Sequence, residues 1–188
     1  MRAEELAISG VLAFEVEPVR DSRGFFACTY SRAEFADRGI DFDVIQASTS
    51  FNERRGTLRG MHLQRPPHEE AKLVRCVAGS VLDVVVDLRA GSPTQFRWLG
   101  LELSAERRNA LYIPQGLAHG FITLEDGCEL EYLISTMYEP TAATGARWDD
   151  PAIGIDWPLE PVVMSERDAA FPDLDVPTVA ERGPAALP

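Results

Sequence analysis

The sequence predicts a mainly β protein built as a sandwich or barrel. Three observations carry that expectation. Between residues 41 and 140, short apolar or alternating runs follow one another at roughly regular spacing, separated by turn-forming residues. Over the same span little helical periodicity is visible. With 188 residues, 45% of them hydrophobic, the chain can bury a sizeable core.

Taken in order, residues 11–19 (VLAFEVEPV) partly alternate apolar and polar, as a half-buried strand does. A turn at 20–24 leads to the short apolar run 25–27. Residues 31–39 (SRAEFADRG) read as a helix: Ser31 can cap it, Glu34 stands three residues on as in a capping box, and Gly39 can end it. Residues 43–51 are β-prone. Residues 72–78 and 81–88 read as two strands joined by a hairpin at Gly79-Ser80. Further strands are expected at 98–103, 110–113, 120–124 and 129–135. From 139 onward Pro, Asp and Trp dominate, and 165–170 has room for one helical turn. There is no internal repeat and no linker, so residues 1–188 read as a single domain, with about 174–188 a loosely ordered C-terminal tail.

The charge narrows the function. Lys plus Arg is 18 and Asp plus Glu is 30, a net charge of −12. Phosphate polymers and anionic membrane surfaces are repelled overall, which argues against nucleic-acid or membrane partners. A small anion remains admissible where arginines cluster. Cys28, Cys76 and Cys128 are odd in number, widely spaced and without a CxxC pair. That pattern fits a reducing compartment rather than a disulfide framework or zinc knuckle. The N-terminus lacks an apolar signal core, and no run approaches the roughly 18 apolar residues of a membrane helix. A cytoplasmic location is expected.

The densest polar chemistry lies at 55–76 (RGTLRGMHLQRPPHEEAKLVRC), which holds four arginines, two of the three histidines and a Pro-Pro break beside strand-like sequence. His68 reads as an exposed loop residue. His62 and Gln64 share one face if the segment is extended. Lys72 opens an apolar strand, where an ammonium is costly without a partner or ligand, although it can also snorkel from an edge. His119 sits in a Pro-x-Gly-x-x-His turn that resembles the second motif of the cupin superfamily, a jelly roll. His119 can equally pin the turn as a core residue. In metal-dependent cupins the first motif gives His-x-His. Here Gln64 replaces the second histidine, and an amide oxygen is the poorer ligand. Two uses of His62 remain open: a metal site with Glu69 or Glu70 and His119, or proton transfer by an imidazole that titrates near neutrality.

Several strings together identify a family. They are RGFF at 23–26, LRGMHLQ at 58–64, KLVR at 72–75, DVVVD at 83–87, GSPT at 91–94, LSAE at 103–106, IPQGLAHGF at 113–121 and WDDPAIGIDWP at 148–158. In this order and spacing, over about residues 10–173, the chain resembles the dTDP-4-dehydrorhamnose 3,5-epimerases. The resemblance implies a cupin-type jelly roll with short flanking helices, no metal and no cofactor, and a homodimer that exchanges N-terminal strands. It implies a nucleotide-sugar substrate, epimerised at the carbons flanking the ketone of a 4-keto-6-deoxy sugar. By the same resemblance His62 is the base, Asp168 its partner, Lys72 the enolate-stabilising cation and Tyr132 the acid on the opposite face. Arg23, Gln46, Arg59, His119, Tyr138 and Arg167 form the implied substrate-binding set. On the residues alone, Ser165-x-x-Asp168 also reads as a helix capping box, and Tyr132 as an ordinary strand aromatic.

The chain departs from the family pattern where the nucleotide and sugar are held. It reads QASTS at 46–50 instead of Gln-Asp-Asn-His-Ser, FFAC at 25–28 instead of Phe-Phe-Phe-Glu, and Leu133 instead of a lysine. An aromatic is replaced near Val19, and a Tyr-Tyr pair has become Met137-Tyr138. The acid–base set is kept, so reaction type is expected more firmly than substrate. Two alternatives stand beside it: a metal-dependent cupin oxygenase or isomerase, and an inactive nucleotide-sugar-binding cupin.

Overall fold

The computed structural model describes residues 1–174. Its strands are β1 (Arg2–Glu5), β2 (Leu12–Glu15), β3 (Val19–Asp21) and β4 (Gly24–Phe26), followed by helix α1 (Arg32–Ala36). Then come β5 (Gln46–Asn52), β6 (Leu58–Gln64), β7 (Lys72–Ala78), β8 (Ser80–Asp87) and β9 (Trp98–Ser104). The chain continues with β10 (Ala110–Ile113), β11 (Leu117–Thr123), β12 (Cys128–Ile134), β13 (Ala143–Gly145) and helix α2 (Glu166–Ala169).

Two antiparallel sheets make the body. One has the order β1-β2-β10-β7-β12-β5, the other β13-β6-β11-β8-β9. Their inner faces share one core, in which Val74, Cys76, Leu111 and Leu130 of the first sheet meet Val81, Val85, Leu103 and Phe121 of the second. Each fully buried aliphatic side chain of this kind contributes about 1.5–3 kcal/mol. From β5 to β13 the chain passes from one sheet to the other at every step except β8 to β9, which pair in the second sheet, as in the jelly roll that was expected.

That alternation overturns the hairpin expected at Gly79-Ser80. β7 and β8 lie in different sheets and do not pair with each other. Gly79 is a one-residue corner, because both strands are apolar on faces that must meet the same core. The run at 11–19 also breaks, into β2 and β3, with Pro18 between them, where no N–H is available to a ladder. The acidic segment at 2–5, not expected as a strand, forms an edge strand in register with β2, Arg2 opposite Glu15 and Glu5 opposite Leu12.

The helix expectation holds. Ser31 Oγ accepts the Glu34 N–H at 3.4 Å, and Phe35 packs between Phe14 and Phe42 in a small aromatic core. β3 and β4 form a separate two-stranded hairpin whose residues are all exposed, with Val19 at 73% and Phe26 at 80%. At the other end of the described residues the Leu174 N–H reaches buried Asp150 at 2.5 Å. The remainder of the expected tail lies outside the described residues. No helix of the described residues is long and apolar enough to cross a membrane.

Candidate active site

β6 turns the LRGMHLQ string into an inner wall of the sandwich. It pairs with β11, His62 opposite His119, with a register shift before Phe121 falls opposite Arg59. The shift is possible because two glycines touch there. A Cβ on Gly60 would meet the Gly120 Cα at 2.6 Å, and Gly60 has a φ of +146°. The close approach aims Arg59 and His62 into a cavity of about 300 Å³.

His62 forms the polar centre of that cavity. Its Nε2 lies 2.7 Å from Asp168 Oδ1, while Asp168 Oδ2 accepts the Gly60 N–H at 3.1 Å. Asp168 is 3% exposed. Burial alone would raise its pKa. The His62 hydrogen bond and charge, with the Gly60 and Ser165 hydrogen bonds, outweigh burial and hold the carboxyl below its ordinary value. An ionised carboxylate can only accept, so Nε2 carries the proton and Nδ1 is left as the basic nitrogen. Ser165 does cap α2, its Oγ accepting the Asp168 N–H at 3.1 Å. The capping role and the pairing with His62 coexist, because the cap engages the Asp168 backbone N–H while Oδ1 is left to His62.

The facing sheet supplies the rest. Tyr132 of β12 lines the same cavity, and its ring meets His119 edge to face at 6.1 Å. Burial pushes the Tyr132 phenol far up, and the charge of Asp83 adds to this against smaller opposing effects of Arg59 and Ser50. Tyr132 therefore keeps its proton until negative charge develops beside it. Lys72 of β7 lines the cavity with its Nζ 2.8 Å from Glu70 Oε1; the two side chains are 10% and 11% exposed. The lysine is thus neither snorkelling nor unpaired.

His119 is buried and bonded through Nε2 to both Asp83 oxygens, at 3.0 and 2.9 Å. Arg59 is steadied by Asn52, Nε to Oδ1 at 2.8 Å, and donates to the Phe51 carbonyl at 3.3 Å. Arg167 and Tyr138 meet at 3.3 Å on the cavity lining. Two expected binding residues stand apart. Gln46 does not line the cavity but donates to Ser48, which does, at 2.8 Å. Arg23 lies on the exposed hairpin, 87% exposed, and among the described residues it pairs only with Asp21 of the same hairpin.

Sequence reasoning missed Asp83, Asn52, Ser48 and Ser50, and named Glu70 only as a metal ligand. Asp83 stood inside a string of the family pattern, and the inward alternation of β5 could have shown Ser48, Ser50 and Asn52. The metal-ligand alternative gains no support. Glu70 is spent on Lys72, Gln64 Oε1 accepts the Glu139 N–H at 2.6 Å, and among the described residues no three His, Cys, Asp or Glu side chains converge on a point a metal could occupy.

Comparison with known proteins agrees with this geometry. The family model described as dTDP-4-dehydrorhamnose 3,5-epimerase matches residues 5–175. A dTDP-4-dehydrorhamnose 3,5-epimerase of Methanothermobacter thermautotrophicus is 42% identical over 165 residues, covering 86% of this chain and 88% of the relative. The crystal structure of the enzyme of that name from Elizabethkingia anophelis superposes with a TM-score of 0.89 at 33% identity, over 92% of this chain and 96% of that one. ChmJ of Streptomyces bikiniensis, a 3'-monoepimerase solved with dTDP-quinovose, gives 0.84 at 38% identity, over 94% and 89%. A family model and relatives that match nearly end to end make this chain a member of the dTDP-4-dehydrorhamnose 3,5-epimerase family.

Proposed function

We propose that the protein epimerises a nucleoside-diphosphate-linked 4-keto-6-deoxy sugar, of the dTDP-4-dehydro-6-deoxyglucose type, at C3, C5 or both. One observation carries the reading: His62 and Tyr132 enter a single cavity from opposite sheets, with the Lys72 ammonium in the same cavity. Inverting a carbon next to a ketone requires a base on one face and an acid on the other.

His62 Nδ1 takes the proton from the carbon next to the ketone. The bonding pair moves into the carbonyl, and the enolate oxygen that forms is stabilised by Lys72. Tyr132 then delivers its proton to the opposite face, the ketone is restored, and solvent reprotonates the tyrosinate and relieves the imidazolium. Asp168 holds His62 in the productive tautomer and balances its positive charge. Arg59, with His119, Tyr138 and Arg167, holds the diphosphate and sugar. The chain's own residues account for each step, with no cofactor assigned.

The active unit is a homodimer exchanging N-terminal strands, and each chain acts as one catalytic domain. The support is the hairpin β3–β4. Its apolar Val19 and Phe26 are exposed, and its Arg23 does not line the cavity of its own chain, as befits an arm that completes the site of a second copy. Three free cysteines support a cytoplasmic location. The test is proton NMR in D2O with dTDP-4-keto-6-deoxyglucose. Deuterium at C3, C5 or both, with inverted product, is expected; a substrate unchanged in isotope and configuration contradicts the reading. Because the relatives include both a 3,5-epimerase and a 3'-monoepimerase, the same spectrum also assigns the regiochemistry.

A further inference from the structure

The catalytic dyad is assembled from two distant parts of the chain, and the second part is a short strap. It runs from the Ser165 cap through α2 to Leu174, with Asp168 inside the helix and Phe171 just past its C-cap Ala170. Both reach His62. Asp168 bonds Nε2 at 2.7 Å, and the Phe171 ring packs against the imidazole at 6.1 Å between centroids, with planes inclined by 63°.

The seat of Phe171 is specific. In the β13–β6 ladder Gly145 stands opposite His62. A Cβ on Gly145 would lie 2.6 Å from the Phe171 Cζ and 2.2 Å from the Met61 carbonyl oxygen. The ring therefore rests on bare backbone beside the base, where no other residue leaves room. Beyond it the strap is pinned. Asp150, 1% exposed, accepts the Leu174 N–H on Oδ2 and the Ala152 N–H on Oδ1 at 2.7 Å. Leu174 itself packs with the cluster around Met61, Ala146 and Ile153.

We propose that Phe171, seated on Gly145 and held from behind by Asp150, is a positioning residue that fixes the geometry of the Asp168–His62 bond. This rests on His62 being the base. A four-residue helix cannot hold a carboxylate in place by itself. The ring closes one side of the imidazole, and the Asp150 anchor stops the strap from lifting away. Small displacements of a base or its orienting carboxylate are costly, up to about 10²-fold in rate for about 1 Å.

The experiment uses the full chain carrying Phe171→Ala, Phe171→Leu or Asp150→Asn, with His62→Asn alongside. Measured are kcat and KM with dTDP-4-keto-6-deoxyglucose, the pH profile of kcat/KM, and dTDP binding by calorimetry. Phe171→Ala is expected to lower kcat about 10- to 100-fold while KM and dTDP affinity stay within about twofold. Phe171→Leu recovers most of kcat, and Asp150→Asn shows a smaller loss of the same kind. An unchanged kcat in Phe171→Ala overturns the proposal. So does a parallel loss of dTDP affinity, which makes Phe171 a wall of the substrate pocket. If Phe171→Ala does not fold, normal kcat in Asp150→Asn overturns it equally. Activity in His62→Asn contradicts the base assignment itself, whereas an inactive His62→Asn with normal strap variants contradicts only the positioning role.

Discussion

His62 Nε2 lies 2.7 Å from Asp168 Oδ1, across 106 residues of sequence, and the Gly60 N–H fixes the second oxygen of the same carboxylate. This three-way contact sets the tautomer of His62. It also decides what an amide would do in place of the carboxylate. In Asp168→Asn the Gly60 N–H claims the amide oxygen, so the amide NH2 faces Nε2. The imidazole proton then moves to Nδ1, the nitrogen that must be basic. A loss of about 10²–10⁴ in kcat is expected, with KM little changed, in steady-state assays at neutral pH.

The same carboxylate links stability to pH. Its folded pKa lies below the ordinary carboxylate value. The stabilisation from its ionised form is therefore fully present above the unfolded value and lost as pH falls through the lower folded value. Urea melts should find Asp168→Asn less stable than wild type at pH 7, with the gap closing below about pH 4. A gap that widens in acid contradicts this.

Lys72 and Glu70 make a second test, because their pair is nearly buried. Lys72→Met leaves a desolvated carboxylate without its partner, at a cost of about 3–5 kcal/mol. Adding Glu70→Gln removes that carboxylate, and most of the stability should return in thermal melts. Activity should not return, since the enolate still lacks its cation. Recovery of turnover in the double variant removes Lys72 from the enolate role.

The exposed hairpin predicts complementation between chains. His62→Asn alone lacks the base, and Arg23→Ala alone lacks the arm's arginine. Mixed after dissociation, half of the dimers pair one of each, and one site of each such dimer is whole. About a quarter of wild-type activity is expected in the mixture. Activity no greater than the mean of the two variants contradicts exchange of the arm.

The β class was legible because burial writes itself locally: β10 lies at residues 110–113 and β7 at 72–78, as their apolar runs indicate. The way strands pair was not. A corner such as Gly79 and a hairpin share one local pattern, and only the common core of both sheets tells them apart. In the site, His62 and Lys72 were conspicuous as polar groups among apolar neighbours. The residues that steady the two pocket histidines were not, since Asp83, which holds His119, sits in a valine-rich strand like any inward strand residue, and Phe171 matters to His62 only because Gly145 is beside it in space. Asp168 and Tyr132 were named through the family resemblance, and their surroundings came only with the fold.

The central claim is a base and an acid on opposite faces of one sugar. Comparing His62→Asn with Tyr132→Phe in D2O tests it most directly, following isotope and configuration of the same 4-keto sugar. The account predicts that His62→Asn abolishes exchange, while Tyr132→Phe still exchanges the proton His62 removes but returns it to the same face without inversion. Normal inversion by Tyr132→Phe, or undiminished exchange by His62→Asn, contradicts it.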